Sequence, residues 1–167
     1  TANAGFHVVE WEVYGRVMPE PSSFTNLALA SRGAVLYAHR AAFAIDGVDQ
    51  GYTYLSGYAH CAVGGCMVLD LQSVCTIDHL NLLLFDLDAR WYGYRIEASQ
   101  DACHWFEVVP IRASYGWQFL KLASPVQARY LRLLALGNSA GRGFHVVEWE
   151  VYGRERTLLS SLVGVQL

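Results

Sequence analysis

The twelve residues GFHVVEWEVYGR occupy positions 5–16, and the same twelve return unchanged at 143–154. Read as a strand, the second copy points His145, Val147, Trp149 and Val151 one way and Val146, Glu148, Glu150 and Tyr152 the other. β-Branched and aromatic side chains at period two suit a pleated, half-buried surface. Twelve identities exclude coincidence, and the copies stand about one domain length apart, so the repeat announces tandem domains. We therefore read residues 1–16 as the last strand of a preceding copy, 17–23 (VMPEPSS) as a linker stiffened by Pro19 and Pro21, 24–153 as one complete domain and 154–167 as a C-terminal tail. A leading strand needs an edge to pair with, and a neighbouring copy can supply one.

Further strand-like runs follow: CMVLDL (66–71), IDHLNLLLF (77–85), WYGYRIEAS (91–99), HWFEVV (104–109), WQFLKLA (117–123) and RYLRLLAL (129–136). Strands at such intervals, with no amphipathic helix between them, predict an all-β antiparallel sandwich or jelly roll with little helix. The stretch 31–65, rich in Gly, Ala, Tyr and His, predicts long loops at one end of that sandwich, where function concentrates.

Hydrophobic residues make up 53% of the 167 and charged residues 16%, enough for one core and little for a fully solvated surface, so part of that surface is expected to be covered by a partner. The net charge is −3 and the Lys and Arg residues are scattered, which excludes the basic stripe that nucleic acid requires. The longest apolar stretch, HLNLLLFDLDARW, is cut by Asn81, Asp86 and Asp88, so no transmembrane segment is expected. The sequence TANAGFHVVEW lacks the features of a secretory signal. Four cysteines fall short of a disulfide scaffold, and no Asn-X-Ser/Thr sequon is present. These features lean towards an intracellular setting, cytoplasmic or within a large cytoskeletal-type assembly.

NLALASRGA (26–34), AAFAIDG (41–47), MVLDLQSVCTIDHLNLLLFD (67–86), YRIEASQDACHWFEVV (94–109), ARYLRLLAL (128–136) and FHVVEWEVYG (144–153), in that order, resemble the discoidin-like, coagulation factor V/VIII type C domain of the galactose-binding-like jelly-roll group. The resemblance is strongest to the intracellular branch in BTB-domain adaptor proteins, where SGYAHCAVGGCMVLDL (56–71) and GNSAGRGFHVVEWE (137–150) have close counterparts and such domains come in tandem pairs. Two positions depart from the family pattern: Tyr54 stands where Trp is frequent, and Gln72 where Gly is frequent. The resemblance implies a non-enzymatic scaffold module that binds a protein partner or a neighbouring copy of the same domain. The alternatives it leaves open are an extracellular carbohydrate- or lipid-binding lectin and an accessory module of a larger enzyme.

The resemblance also gathers Tyr37, His39, Arg40, Tyr52, Tyr54 and Tyr58 at one rim. Extracellular relatives grip sugars or lipids there, and Tyr and Arg also dominate protein hot spots. It implies a structural calcium ion held by Asp46, Thr53 and Glu148 with nearby backbone carbonyls, against the simpler reading that Asp46 forms its turn and Glu148 faces outward. No other cofactor is expected. His60, Cys61 and Cys66, with Cys75 or His79 as a fourth ligand, have the right types for zinc but not a paired-ligand spacing. Reduced thiols or a small-loop disulfide compete with that reading. No catalytic motif is present: Cys103 and His104 adjoin at a strand start and face apart, and Asp86 and Asp88 read as turn formers. Arg129 and Arg132 are expected to be structural, with Glu97 or Glu150 as partners. In the tail, Leu158, Leu159, Leu162 and Val165 have helical spacing, with disorder as the alternative.

Overall fold

The two longest strands, β4 (Cys66–Leu84) and β7 (Gly116–Asn138), organise the molecule, and over much of their length buried residues alternate with more exposed ones. The structure, a computed structural model, describes residues 24–155. The first repeat copy, the linker 17–23 and the tail beyond Glu155, with its four apolar residues, lie outside the described residues.

The remaining strands are β1 (Thr25–Asn26), β2 (Val35–Tyr37), β3 (Ala59–Ala62), β5 (Tyr92–Ser99), β6 (Phe106–Ser114) and β8 (Gly143–Glu155), all paired antiparallel. Among the described residues helix is confined to two 3₁₀ turns, Ala30–Arg32 and Ala41–Ala44. The fold is thus the expected all-β antiparallel sandwich. β4 pairs with β7 from Cys66↔Leu134 to Leu84↔Gly116, with register shifts between Asp70 and Cys75 and again between Ile77 and His79. These irregularities let the two strands pass from one layer to the other. The first half of β4 and the second half of β7 lie with β2, β5 and β6. The second half of β4 lies between the first half of β7 and β8, which carries β1 and β3 on its far side.

The core between the layers includes Met67, Leu69, Ile77, Leu80, Leu82, Tyr94, Ile96, Leu131, Leu133, Phe144, Val146, Trp149 and Val151. At roughly 1.5–3 kcal/mol per fully buried large apolar side chain, this set supplies the main driving force for folding. Large apolar groups also remain on the surface, among them Leu55, Ile111 and Phe119, in keeping with a surface short of charge.

β8 carries the second copy of the repeat and runs on through Arg154 and Glu155, two residues past the expected boundary. Leu83 pairs with Glu148 and Leu84 with Val146, which leaves Val147 as an extra residue, a bulge. Simple alternation puts His145 on the side of Trp149 and Val151. The bulge resets the alternation, so His145 emerges on the opposite side, against Phe85 and Tyr58.

Two expected ion pairs resolve differently. Arg132 pairs with Glu97, as expected, and lies 4.2 Å over the Trp105 ring. Arg129 instead makes a two-pronged pair with buried Asp70, at 2.8 and 2.9 Å, because Asp70 stands opposite Tyr130 in the ladder. Glu150 is taken by the Asn81 amide at 2.8 Å. Cys103 and His104 do not begin a strand. They lie in the bend before β6, held by the Asp101 carboxylate, which accepts hydrogen bonds from both backbone N–H groups and pairs with the His104 ring. That pairing raises the His104 pKa.

Candidate functional site

Three segments meet at one end of the sandwich: the loop 52–58, the β4–β5 connection 85–91, and the start of β8. Gly57 makes the first possible. Its φ of +86° lies in the left-handed region, and a Cβ there would stand 2.6 Å from the Tyr52 Cβ. Folded on itself in this way, the loop sets Tyr52, Tyr54 and Tyr58 around Phe85, with ring centroids 5.4–5.9 Å apart in edge-to-face geometry. Arg90 lies 5.2 Å from the Phe85 ring, and His145 closes the far side 5.0 Å from Tyr58. Tyr54, Tyr58, Phe85, Arg90 and His145 line a cleft of about 110 Å³.

The polar atoms of this cleft are largely paired among themselves. Tyr54 donates to the Leu87 carbonyl at 2.8 Å and Tyr58 to the Tyr54 carbonyl at 3.0 Å. Tyr52 donates to Asp86 at 2.5 Å, and burial together with that carboxylate pushes its pKa up to about 12. Arg90 grips Asp88 with Nε and one terminal nitrogen, at 2.7 and 2.5 Å, which raises its pKa. The His145 ring shares a hydrogen bond of 2.9 Å with the Tyr92 hydroxyl. Burial, with Arg90 and His60 nearby, holds its pKa down to about 4, so it is neutral at physiological pH. Asp86 and Asp88 are therefore committed to separate partners, Tyr52 and Arg90, and do not form an acid pair.

Of the six rim residues expected from the sequence, Tyr54 and Tyr58 line the cleft and Tyr52 supports it from behind. Arg40 stands outside and ties the loop by donating to the Leu55 carbonyl at 2.6 Å. It does so from a left-handed backbone, φ +54°. His39 bridges His60 through the backbone and packs ring on ring with it at 4.4 Å. Tyr37 projects from β2, 60% exposed, with no part in the cleft lining. Phe85, Arg90 and His145 belong to the cleft and were not singled out in the sequence. Arg90 reads there as one charge in a turn, and His145 is turned away from the core and into the cleft only by the bulge.

The expected cation site lies where the loop 41–48 meets β8. Glu148 is 1% exposed: one carboxylate oxygen accepts from the Gly47 N–H at 3.2 Å, and the other has no hydrogen-bond partner. Burial, reinforced by the charges of Asp46, Glu150 and Asp49, lifts its pKa to about 8. The reading of Glu148 as an outward-facing residue is thereby corrected, because the loop 41–48 covers that side of β8. Asp46 forms the expected turn, one of its oxygens accepting from the Val48 N–H at 2.9 Å, so the hard-oxygen donors left for calcium are its other oxygen and the unpartnered oxygen of Glu148. Thr53 does not join them: its hydroxyl is engaged locally with Ser56 and the Leu55 N–H. Among the described residues, no three His, Cys, Asp or Glu side chains are gathered to hold a metal, so an ion here would take Asp46 and Glu148 together with main-chain oxygens. The same holds for the zinc reading. Cys75 is buried opposite Ala128 and Glu155, while His79 is stacked on Tyr152, on the half of β4 away from His60. All four cysteines are free thiols.

No family model matches the chain. It is similar in sequence to BTB/POZ domain-containing protein 9: 37% identical over 113 residues of the Drosophila melanogaster protein, 64% of this chain and 15% of that one. For the Homo sapiens protein the identity is 30% over 153 residues, 86% of this chain and 24% of that one. The chain thus spans at most about a quarter of these relatives' length. Among solved structures it superposes on the CBM32 of AlyQ in complex with 4,5-unsaturated mannuronic acid. The TM-score is 0.58 and the identity 22%, covering 71% of this chain and 92% of that one. In AlyQ this module accompanies an alginate lyase domain. The likeness shows the fold.

Proposed function

Because this chain is a discoidin-like jelly roll of the kind found in BTB-domain adaptor proteins, and so a binding module, we propose that it binds a protein partner within an intracellular assembly, seating one partner side chain in the loop-end cleft. The observation that carries this reading is the self-pairing of the cleft's polar groups. A sugar leaving water brings hydroxyls that each need a new partner, at a cost of about 1–3 kcal/mol for every one left unpaired. In this cleft the Tyr54 and Tyr58 hydroxyl protons, two Arg90 N–H groups and the His145 Nδ1 are already engaged, which leaves a sugar fewer groups to pair with. A small aliphatic side chain makes no such demand and gains from contact with the Phe85, Tyr54 and Tyr58 rings. The volume suits a small aliphatic side chain: about 110 Å³ is less than the ~150 Å³ cavity that admits benzene and well below the ~300 Å³ at which small-molecule pockets begin. Four free thiols, two of them exposed, favour a reducing compartment.

Residues 24–153 act in this reading as one unit of a tandem series, with residues 5–16 the closing strand of a like unit. Calcium, where bound, is structural: it pins the loop 41–48 to β8 through Asp46 and Glu148.

A second reading, carbohydrate binding, is favoured by the half-exposed ring of Tyr54 at the cleft mouth and by the carbohydrate-binding neighbours. Affinity capture with the wild-type chain and with the Tyr54→Ala/Arg90→Ala double variant, run beside a glycan array, separates the two. A protein held by the wild type and lost by at least 10-fold in the variant, with no glycan retained, is expected. Micromolar retention of a sugar that the variant abolishes would reverse the assignment.

A further inference from the structure

We propose that the slot filled by β8 is also a docking site for residues 5–16 of the same chain, so that one β-sandwich has two strands able to complete it. The slot is demanding. It buries Phe144, Val146, Val147, Trp149 and Val151 completely and Glu148 to 1% exposure. It holds a bulge at Val147, and it leaves no room for a side chain at Gly153, where a Cβ would lie 2.2 Å from the Thr76 carbonyl oxygen. An unrelated strand would fail at several of these points. Residues 5–16 meet all of them, with Phe6, Val8, Val9, Glu10, Trp11, Val13 and Gly15 standing in for Phe144, Val146, Val147, Glu148, Trp149, Val151 and Gly153. His7 would likewise rebuild the cleft wall made by His145.

The chain can reach. β1 runs antiparallel to β8 with Thr25 opposite Gly153, and the Arg154 guanidinium lies 5.1 Å from the Phe24 ring. A strand ending at Arg16 in the place of Arg154 therefore needs residues 17–23 to bridge only a hairpin turn, whereas seven residues extend to roughly 23 Å. The link from β7 to β8 is shorter, spanning 139–142, but loop closure weakens so slowly with length that this difference shifts the balance only roughly twofold. β8 keeps one contact the other strand lacks. Glu155 pairs with Arg32 at 2.6 Å, and Val17 stands at the matching position. Both of these side chains are exposed, so the preference for β8 is small. This inference goes beyond the protein-binding reading: its readouts are folding and strand identity, and it stands or falls separately from any ligand of the cleft.

The test uses the 1–167 chain with Trp149→Asp, Trp11→Asp and both together, followed by thermal melting and mass measurement in solution. Trp149→Asp is expected to stay monomeric with a cooperative melt, because residues 5–16 replace the damaged strand. Trp11→Asp should melt like the wild type, and the double variant should lose its cooperative transition. In the Trp149→Asp background, Glu12→Cys with Asn81→Cys should give an intrachain disulfide by peptide mapping, since Asn81 stands opposite Glu150, the counterpart of Glu12. A Trp149→Asp chain as unfolded as the double variant overturns the proposal. So does one that folds only as a dimer, and so does a missing or interchain disulfide.

Discussion

Glu148 and Gln72 show how much a single side chain decides here. Folded, Glu148 keeps its proton up to about pH 8, whereas in the unfolded chain it ionises near 4.5. Across that window the native state holds more protons, so stability falls as pH rises. His145 has the opposite sign: its pKa drops from 6.5 to about 4, and stability rises with pH between those values and no further. Between about pH 6.5 and 8 the Glu148 slope therefore remains. Melting temperature in chelator is expected to decline over that range, and Glu148→Gln should flatten the decline. Calcium, which binds the ionised carboxylate, should raise the melting temperature more at pH 8 than at pH 6; a melting curve unmoved by calcium at both values removes the ion from the site. Gln72 holds a left-handed φ of +68°, its N–H bonded to Asp70 at 2.7 Å. Here the Gly frequent in the family is the conformationally easy choice, and Gln72→Gly is expected to stabilise the domain by up to about 1 kcal/mol in denaturant titrations. The sequence exposed Gln72 as a departure but not its backbone angle. Likewise it offered Asp46 and Glu148 through family resemblance, while the local bonds of Thr53 depend on a loop conformation that no pattern encodes.

The strands were the most legible elements, and their breaks the least. CMVLDL and IDHLNLLLF read as two strands because the residues between them interrupt alternation, yet β4 runs unbroken from Cys66 to Leu84. What is interrupted is the register, by extra residues that bend the strand without ending it. WQFLKLA and RYLRLLAL join into β7 for the same reason, across ASPVQA. The bulge at Val147 hid the cleft, since turning His145 from the core side into the cleft takes one added residue that only the pairing with Leu83 and Leu84 reveals. Arg90 and Phe85 were hidden differently, because they acquire meaning only when the β4–β5 connection meets a loop far away in sequence. β8 tolerates least where it crosses β4. Gly153→Ala must push backbone aside at Thr76 and is expected to cost about 3 kcal/mol or more, read as a lowered midpoint in urea with an unchanged m-value.

For the whole molecule, the thiols give a direct check. Cys61, Cys66, Cys75 and Cys103 are all free, so a reductant should leave the melting temperature unchanged; a fall of several degrees would reveal a cross-link and an oxidising home. Composition had indicated a surface short of charge, and the exposed Phe119, Ile111 and Leu55 are where that shortage appears. Thr25 and Gly153 sit opposite each other, so both ends of the described domain emerge side by side. Tension applied through those ends would not load the ladder lengthwise; it would peel β1 from β8 one rung at a time, at low force. In a string of such units each sandwich would hang from the line like a pendant, and the length of the tethers, rather than the girth of the sandwiches, would set the spacing.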